Sequence, residues 1–413
     1  MQNRKIFFFL LIQMLAVAGP AIVVAQTAAP ASHFAGIWRG TITIRDTIEI
    51  PFNLEISNSG EVFFLNAEER FQSENIRLRN DSLYMPLDQF NNELAFRIVS
   101  KDRLQGVLRA QDRKGRQLPA KAEKGKAYRF PERNIPASGN ISGVYQAVFT
   151  MPSGEKRRSV AILDQRGKKL SGTFMKISGD SRYLEGIVEG NRFYLSAFIG
   201  DSPAYFTGTF DSRKTLSGEQ IGSITKQHFT ASPDTNAALP DAYALTHLNE
   251  GYHSLDFSFP DLHGNMVSLK DPRYKGKVVI LAITGTWCPN CLDEAAFLSP
   301  WYKENAHRGV EIISLHYEIR SDTAFVRKAL NRFRERFDIT YDQVFAGISN
   351  GDSVKRSLPA LKTFLSFPTT IFIDKKGNVA KIHTGYSGPA TGKFYEEFKK
   401  EFNGEVDRLL AEE

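Results

Sequence analysis

The stretch Val278-Val279-Ile280-Leu281-Ala282-Ile283-Thr284-Gly285-Thr286-Trp287-Cys288-Pro289-Asn290-Cys291 decides how this chain is read. Its apolar run, residues 278–283, has the length and branching of a buried strand. A short turn follows, then two cysteines separated by two residues, then a segment that reads as a helix. Cys288 and Cys291 are the only cysteines among 413 residues. A Cys-x-x-Cys at a helix start sets one sulfur among unpaired amide groups and the positive end of the helix dipole, which favours a thiolate. The loop it closes is too short to restrain much of the unfolded chain, so its value as a structural staple is small. The pair reads as a redox couple.

Composition places that couple in an ordinary globular setting. Charged residues make up 24% and apolar residues 42%, enough to build real cores. The length implies two or three domains. The formal charge of +7 is spread along the chain. Its local clusters, Lys156-Arg157-Arg158 and Arg332, Arg334 and Arg336, read as solvated surface and not as a nucleic-acid groove. A zinc site needs about four ligands. No second Cys-x-x-Cys exists to supply them, even with His316 or His383 nearby.

Residues 1–25 read as a secretory signal. Arg4 and Lys5 precede an apolar core, residues 6–24, and Val23-Val24-Ala25 leads to a cut at Gln26. An uncleaved anchor is the competing reading. Gln13, Gly19 and Pro20 interrupt the apolar run and disfavour it. No cysteine near the cut could carry a lipid. Export places the chain in the periplasm or cell envelope.

Two β-rich repeats are expected next, at residues 34–128 and 141–230. Short alternating runs such as 41–44, 52–56, 144–150 and 160–163 are separated by glycine, asparagine and aspartate. The two sets correspond. Gly36-Ile37-Trp38 matches Gly143-Val144-Tyr145, and Leu104-Gln105-Gly106 matches Leu216-Ser217-Gly218. A period near a hundred residues is a domain duplication, each copy an antiparallel meander curled into a barrel-like or sandwich shape. Residues 231–250 read as a linker with Pro233 and Pro240. From 251 to 413, strands and helices alternate as in an α/β domain.

Residues 252–408 resemble the TlpA-like branch of envelope thiol-disulfide oxidoreductases with a thioredoxin fold. The resemblance rests on the strand, turn and Cys-Pro-Asn-Cys already quoted and on Phe367-Pro368-Thr369-Thr370. Tyr274-Lys275-Gly276-Lys277-Val278-Val279, Asp374-Lys375-Lys376-Gly377 and Thr384-Gly385 add to it. It implies a cis bond before Pro368, rare and held by context, on a loop facing the cysteines. It also implies that Cys288 attacks a substrate disulfide and that Cys291, deeper in the helix, resolves the mixed disulfide. Pro289 and Asn290 then set the redox poise, Trp287 shields the pair, and Phe367 and Pro368 offer backbone groups to the substrate.

Ordinary thioredoxins carry a buried acid where Ala282 stands here. The TlpA-like branch often supplies an acid from the end of the next strand instead, and Glu318 lies within a residue of that place. The resemblance thus implies Glu318 as proton acceptor for Cys291, the alternative being a solvated loop glutamate. A peroxidase of this fold would want a threonine where Gly285 stands. The family implies no bound cofactor, client proteins with disulfides, a membrane-bound thiol electron donor, and roles such as cytochrome c maturation. A second reading makes the chain a client- or ligand-binding envelope protein whose thioredoxin module is auxiliary. In a combined view, the repeats select clients for the redox module.

Overall fold

The computed structural model describes residues 31–412 except Asp46, Arg113 and Arg116; the segment read as a signal, residues 1–25, lies outside the described residues. Period-two burial builds the amino-terminal half. In the strand Gly143–Thr150, residues 145, 147 and 149 are buried and their neighbours are not, as in a sheet with one face on a core. Two separate nine-stranded sheets result, one from strands between Gly36 and Lys124, the other from strands between Gly143 and Pro233.

The duplication is visible in topology and in detail. With strands numbered within each sheet, the first sheet has the order 4-3-2-1-9-8-7-6-5, so its fourth and fifth strands, Glu69–Gln72 and Arg77–Arg79, are the two edges. The second sheet repeats the run 2-1-9-8-7-6-5. Its third strand, Lys169–Lys176, pairs with both Lys156–Arg166 and Leu184–Glu189, and this closes a barrel. Both copies begin on a glycine with positive φ, Gly36 at 123° and Gly143 at 146°. Two residues on, the Trp38 indole N–H donates to the Phe34 carbonyl at 2.7 Å, and the Tyr145 hydroxyl donates to the Ile141 carbonyl at 2.9 Å. The barrel interior is filled by Phe149, Phe174, Phe193, Phe206 and Phe229, with the Phe174 and Phe206 rings stacked at 4.6 Å.

The carboxy-terminal domain is built on the strand Val278–Thr284, buried at every position. Burial on both faces is why it reads as a continuous apolar run. It pairs in parallel with Val310–Glu318 and antiparallel with Thr369–Ile373, inside a five-stranded sheet completed by Asp342–Ile348 and Val379–Thr384. Helices α1 (Pro289–Asn305), α2 (Thr323–Phe337), α3 (Gly351–Ser357) and α4 (Lys393–Ala411) surround it. Val278, Ile280 and Ala282 share a cluster with Leu292 and Leu298 of α1 and Phe398 and Phe402 of α4. Val279, Leu281 and Ile283 share another with Leu255, Phe257 and Val354. The Asp322 carboxylate caps α2 by accepting from the Phe325 amide at 3.0 Å, as its position before the helix dictates.

The amino-terminal sheets pack against this domain. Arg336 of α2 donates to the Gln72 carbonyl at 2.9 Å, on an edge strand of the first sheet, and its guanidinium lies 4.2 Å from the Phe71 ring centre. Lys328 and Arg332 each approach Asp88 at 3.8 Å. Two of the α2 arginines read from sequence as solvated surface, Arg332 and Arg336, thus serve an internal interface. Arg336 supplies a donor to a carbonyl on the unpaired edge of the open sheet, while Arg332 lies against the Asp88 carboxylate.

The Tyr145 hydrogen bond at the start of the second sheet can be tested directly. Tyr145→Phe removes the donor to Ile141 and is expected to cost about 1–3 kcal/mol in urea unfolding. Tyr252→Phe, at a half-exposed ring, should stay within about 0.5 kcal/mol of the parent.

Candidate active site

The central strand ends at Thr284, and Gly285 lets the chain turn back tightly. A Cβ there would lie 2.4 Å from the Trp287 indole nitrogen and 2.7 Å from the Tyr317 carbonyl oxygen. Without it, the Trp287 N–H donates to that carbonyl at 2.9 Å. Cys288 is the N-cap of α1 and Pro289 opens the helix, where a missing N–H costs nothing. The Cys288 sulfur accepts the Cys291 amide hydrogen at 3.3 Å. Cys288 is 5% exposed and Cys291 0%, and both are free thiols.

The two sulfurs occupy different surroundings. Burial, reinforced by the hydrogen bond and the charge of Cys288, pushes the Cys291 thiol well above its usual range. Glu294 adds to that push electrostatically. Burial raises the Glu294 carboxyl itself to about 7, against a hydrogen bond from Thr370 that holds it down. The Thr370 hydroxyl donates to Glu294 at 2.6 Å.

The other residues expected from sequence come to the same end of the sheet. The Phe367–Pro368 peptide bond is cis. The Cys288 thiol approaches the Phe367 carbonyl at 3.8 Å, and Phe367 packs edge-on against Trp287 with ring centres 5.6 Å apart. Glu318 is fully buried and is no solvated loop residue. Its carboxylate accepts from the Thr286 amide at 2.9 Å and from the Thr286 hydroxyl at 2.8 Å, and it stands 3.7 Å from the His316 ring. Glu318 therefore grips the turn that precedes the cysteines.

Glu294 was not singled out from sequence. A signal existed, since it lies three residues after Cys291 and so on the same helix face. An acid within a helix otherwise reads as solvent-facing. Residues from the amino-terminal half also reach the site. Gln89 of the first sheet's connection donates to the Thr286 carbonyl. Arg182 of the second sheet donates to the Pro289 carbonyl at 2.9 Å.

A strand, a redox turn and a cis-proline loop in this arrangement agree with the comparisons to known proteins. The Redoxin family model matches residues 249–396. Over 152 residues the chain is 30% identical to thiol-disulfide oxidoreductase ResA of Bacillus thuringiensis subsp. konkukian, covering 36% of this chain and 76% of that relative. The chain belongs to the ResA family of thiol-disulfide oxidoreductases. It is also 28% identical over 138 residues to thioredoxin-like protein YneN of Bacillus subtilis, covering 33% of this chain and 73% of the relative. Among solved structures, a thioredoxin-family thiol:disulfide interchange protein from Chlorobium tepidum aligns with 40% of this chain and 99% of its own, at 21% identity and a TM-score of 0.29. The domain shared with the ResA relatives is thioredoxin-like, and the activity of the family is thiol-disulfide exchange.

Glu294 yields a pH prediction. Its carboxyl sits at about 7 in the fold against about 4.3 in an unfolded chain. The protonated form is thus favoured in the native state, and stability present at low pH is lost as pH rises through that window. The loss attributable to this group is on the order of 3 kcal/mol. Denaturant midpoints measured from pH 4 to pH 8 (the approximate span of that window) should fall in the parent and fall less in Glu294→Gln.

Proposed function

We propose that this protein is exported to the cell envelope and reduces disulfides of client proteins with Cys288 and Cys291. The observation that carries this reading is the asymmetry of the pair: one sulfur caps a helix beside the cis-proline loop, and the other is sealed behind it. The Cys288 thiolate attacks a client disulfide, forms a bond to one client sulfur and expels the other as a thiolate. Cys291 then loses its proton, attacks the Cys288 sulfur and releases the second client thiolate. The client gains two electrons, and the Cys288–Cys291 disulfide is left behind.

Glu294 is the acceptor we assign for the Cys291 proton, because its charge acts on that thiol and its own acidity is near neutrality. Glu318, expected from sequence to do this, becomes a positioning residue through Thr286. Trp287, Phe367 and Pro368 line the approach to Cys288. No cysteine remains to act as an internal relay, so the disulfide is reduced again by another thiol, for which a membrane-bound donor is the proposed source. Cytochrome c maturation is one process that such a reductase would serve. The reading as a client- or ligand-binding envelope protein with an auxiliary thioredoxin module draws less support, since the aromatic residues of the second repeat fill its own core.

Cys291→Ser stops the cycle at the mixed disulfide. Envelope extracts treated with this variant should give adducts on Cys288 that thiols release, and Cys288→Ser should give none. Equal adduct yields from both variants would refute the assignment of roles.

A further inference from the structure

The redox turn is gripped from outside its own domain. The backbone of residues 177–180, from the second repeat, packs against Asn290 of the redox turn and against the loop at Gly385. Gly179 is so close to Asn290 that a Cβ would sit 2.4 Å from its side-chain nitrogen, and a Cβ on Gly385 would sit 2.2 Å from the Ile177 carbonyl oxygen. Asn290 lies between the cysteines. Gly385 donates its amide to the Pro368 carbonyl at 2.9 Å. The segment therefore spans from Asn290 in the redox turn to the Gly385 loop, which in turn bonds the cis-proline loop.

It is fastened at both ends. The Asn290 side chain donates to the Asp180 carbonyl at 3.2 Å and accepts from the Asp180 amide at 3.3 Å. The Asp180 carboxylate accepts from the Gly388 amide at 2.7 Å. Arg182 donates to the Pro289 carbonyl at 2.9 Å and pairs with Asp293 of α1 at 2.6 Å and with Glu69 of the first sheet. All three side chains are at most 14% exposed, so solvent screens these pairs little. One arginine thus ties the first sheet, the second sheet and the redox helix together.

Taking exchange at Cys288 as its basis, we propose that residues 177–182 are a strap that determines specificity by walling one side of the groove at Cys288. Substrates then approach only along the Trp287 and Phe367 side. That geometry admits small disulfides and disulfides on thin, extended segments. It excludes disulfides set in a bulky folded surface, because such a surface must overlap the strap to bring its sulfur in line. Asp180 and Arg182 act as positioning residues and touch no reacting atom.

The test compares the full chain with Asp180→Ala, Arg182→Ala and Arg182→Lys, each reduced by dithiothreitol and offered oxidised glutathione or insulin. Loosening the strap should raise the ratio of kcat/KM for insulin to that for glutathione by about 10-fold. Arg182→Lys, which keeps the charge but not the fork, should fall between parent and alanine variant. In Asp180→Ala, which keeps the backbone bonds to Asn290, the equilibrium potential against glutathione should not move. Independently, the ratio of Cys288 alkylation rates with iodoacetamide and with a polymer-tagged maleimide should fall in the variants. If Arg182→Ala fails to fold, Asp180→Ala carries both readouts. Equal changes for the two substrates, or no gain with insulin, overturn the strap and leave exchange at Cys288 intact. A parent that turns over neither substrate overturns both.

Discussion

The site depends on one strand being paired along both of its edges. Val278–Thr284 bonds in parallel to Val310–Glu318 and antiparallel to Thr369–Ile373. This register sets Thr284 opposite His316 and Ile283 opposite Thr369. The strand end that delivers Cys288 is therefore also where the parallel neighbour delivers Glu318 and the antiparallel neighbour begins, just after Pro368. The cysteines, the acid that holds Thr286 and the cis-proline loop come from three distant stretches of sequence. They meet because two ladders of backbone hydrogen bonds leave no freedom in register. Burial of both faces then makes the strand costly to move and fixes the turn that carries Cys288 and Cys291.

The amino-terminal half adds a second constraint on the same turn. Its two copies share a strand order, yet one closes as a barrel and the other keeps two edges. The edge strand Glu69–Gln72 receives Arg336 through Gln72 and Arg182 through Glu69. Backbone and charge left unpaired by the open copy are satisfied by contacts with the redox domain and the other copy. A buried apolar cluster runs from Trp38 and Phe52 through Phe198 to Leu292 and Phe402, so the repeats and the redox domain share a core. The carbonyls of Thr286 and Pro289, on either side of Trp287 and Cys288, are both held by side chains from these sheets.

Much of this was legible in the residues. The run at 278–283 could hardly be other than a buried strand, Asp322 announced the start of α2, and the matched glycines announced a duplicated β architecture. Other features left little trace. The helix α3 has seven residues, too few to show a period. Glu294 was not singled out because its buried partner, the Thr370 hydroxyl, lies 76 positions away. The clamp on Asn290 comes from a residue 110 positions away, and no local pattern encodes such a pairing. Whether each repeat closes depends on one strand pairing in three dimensions. Patterning reports which face of a strand is buried, and long-range hydrogen bonds decide what lies opposite it.

We propose that Cys288 and Cys291 form one reversible, reducing couple. Equilibrating the full chain with mixtures of reduced and oxidised glutathione or dithiothreitol, and counting free thiols by mass after alkylation, measures it directly. A single two-electron transition is expected in the range of thioredoxins and glutaredoxins, about −200 to −270 mV. Thiols that never pair under excess oxidant, or a midpoint near the strongly oxidising value of about −120 mV, would contradict it.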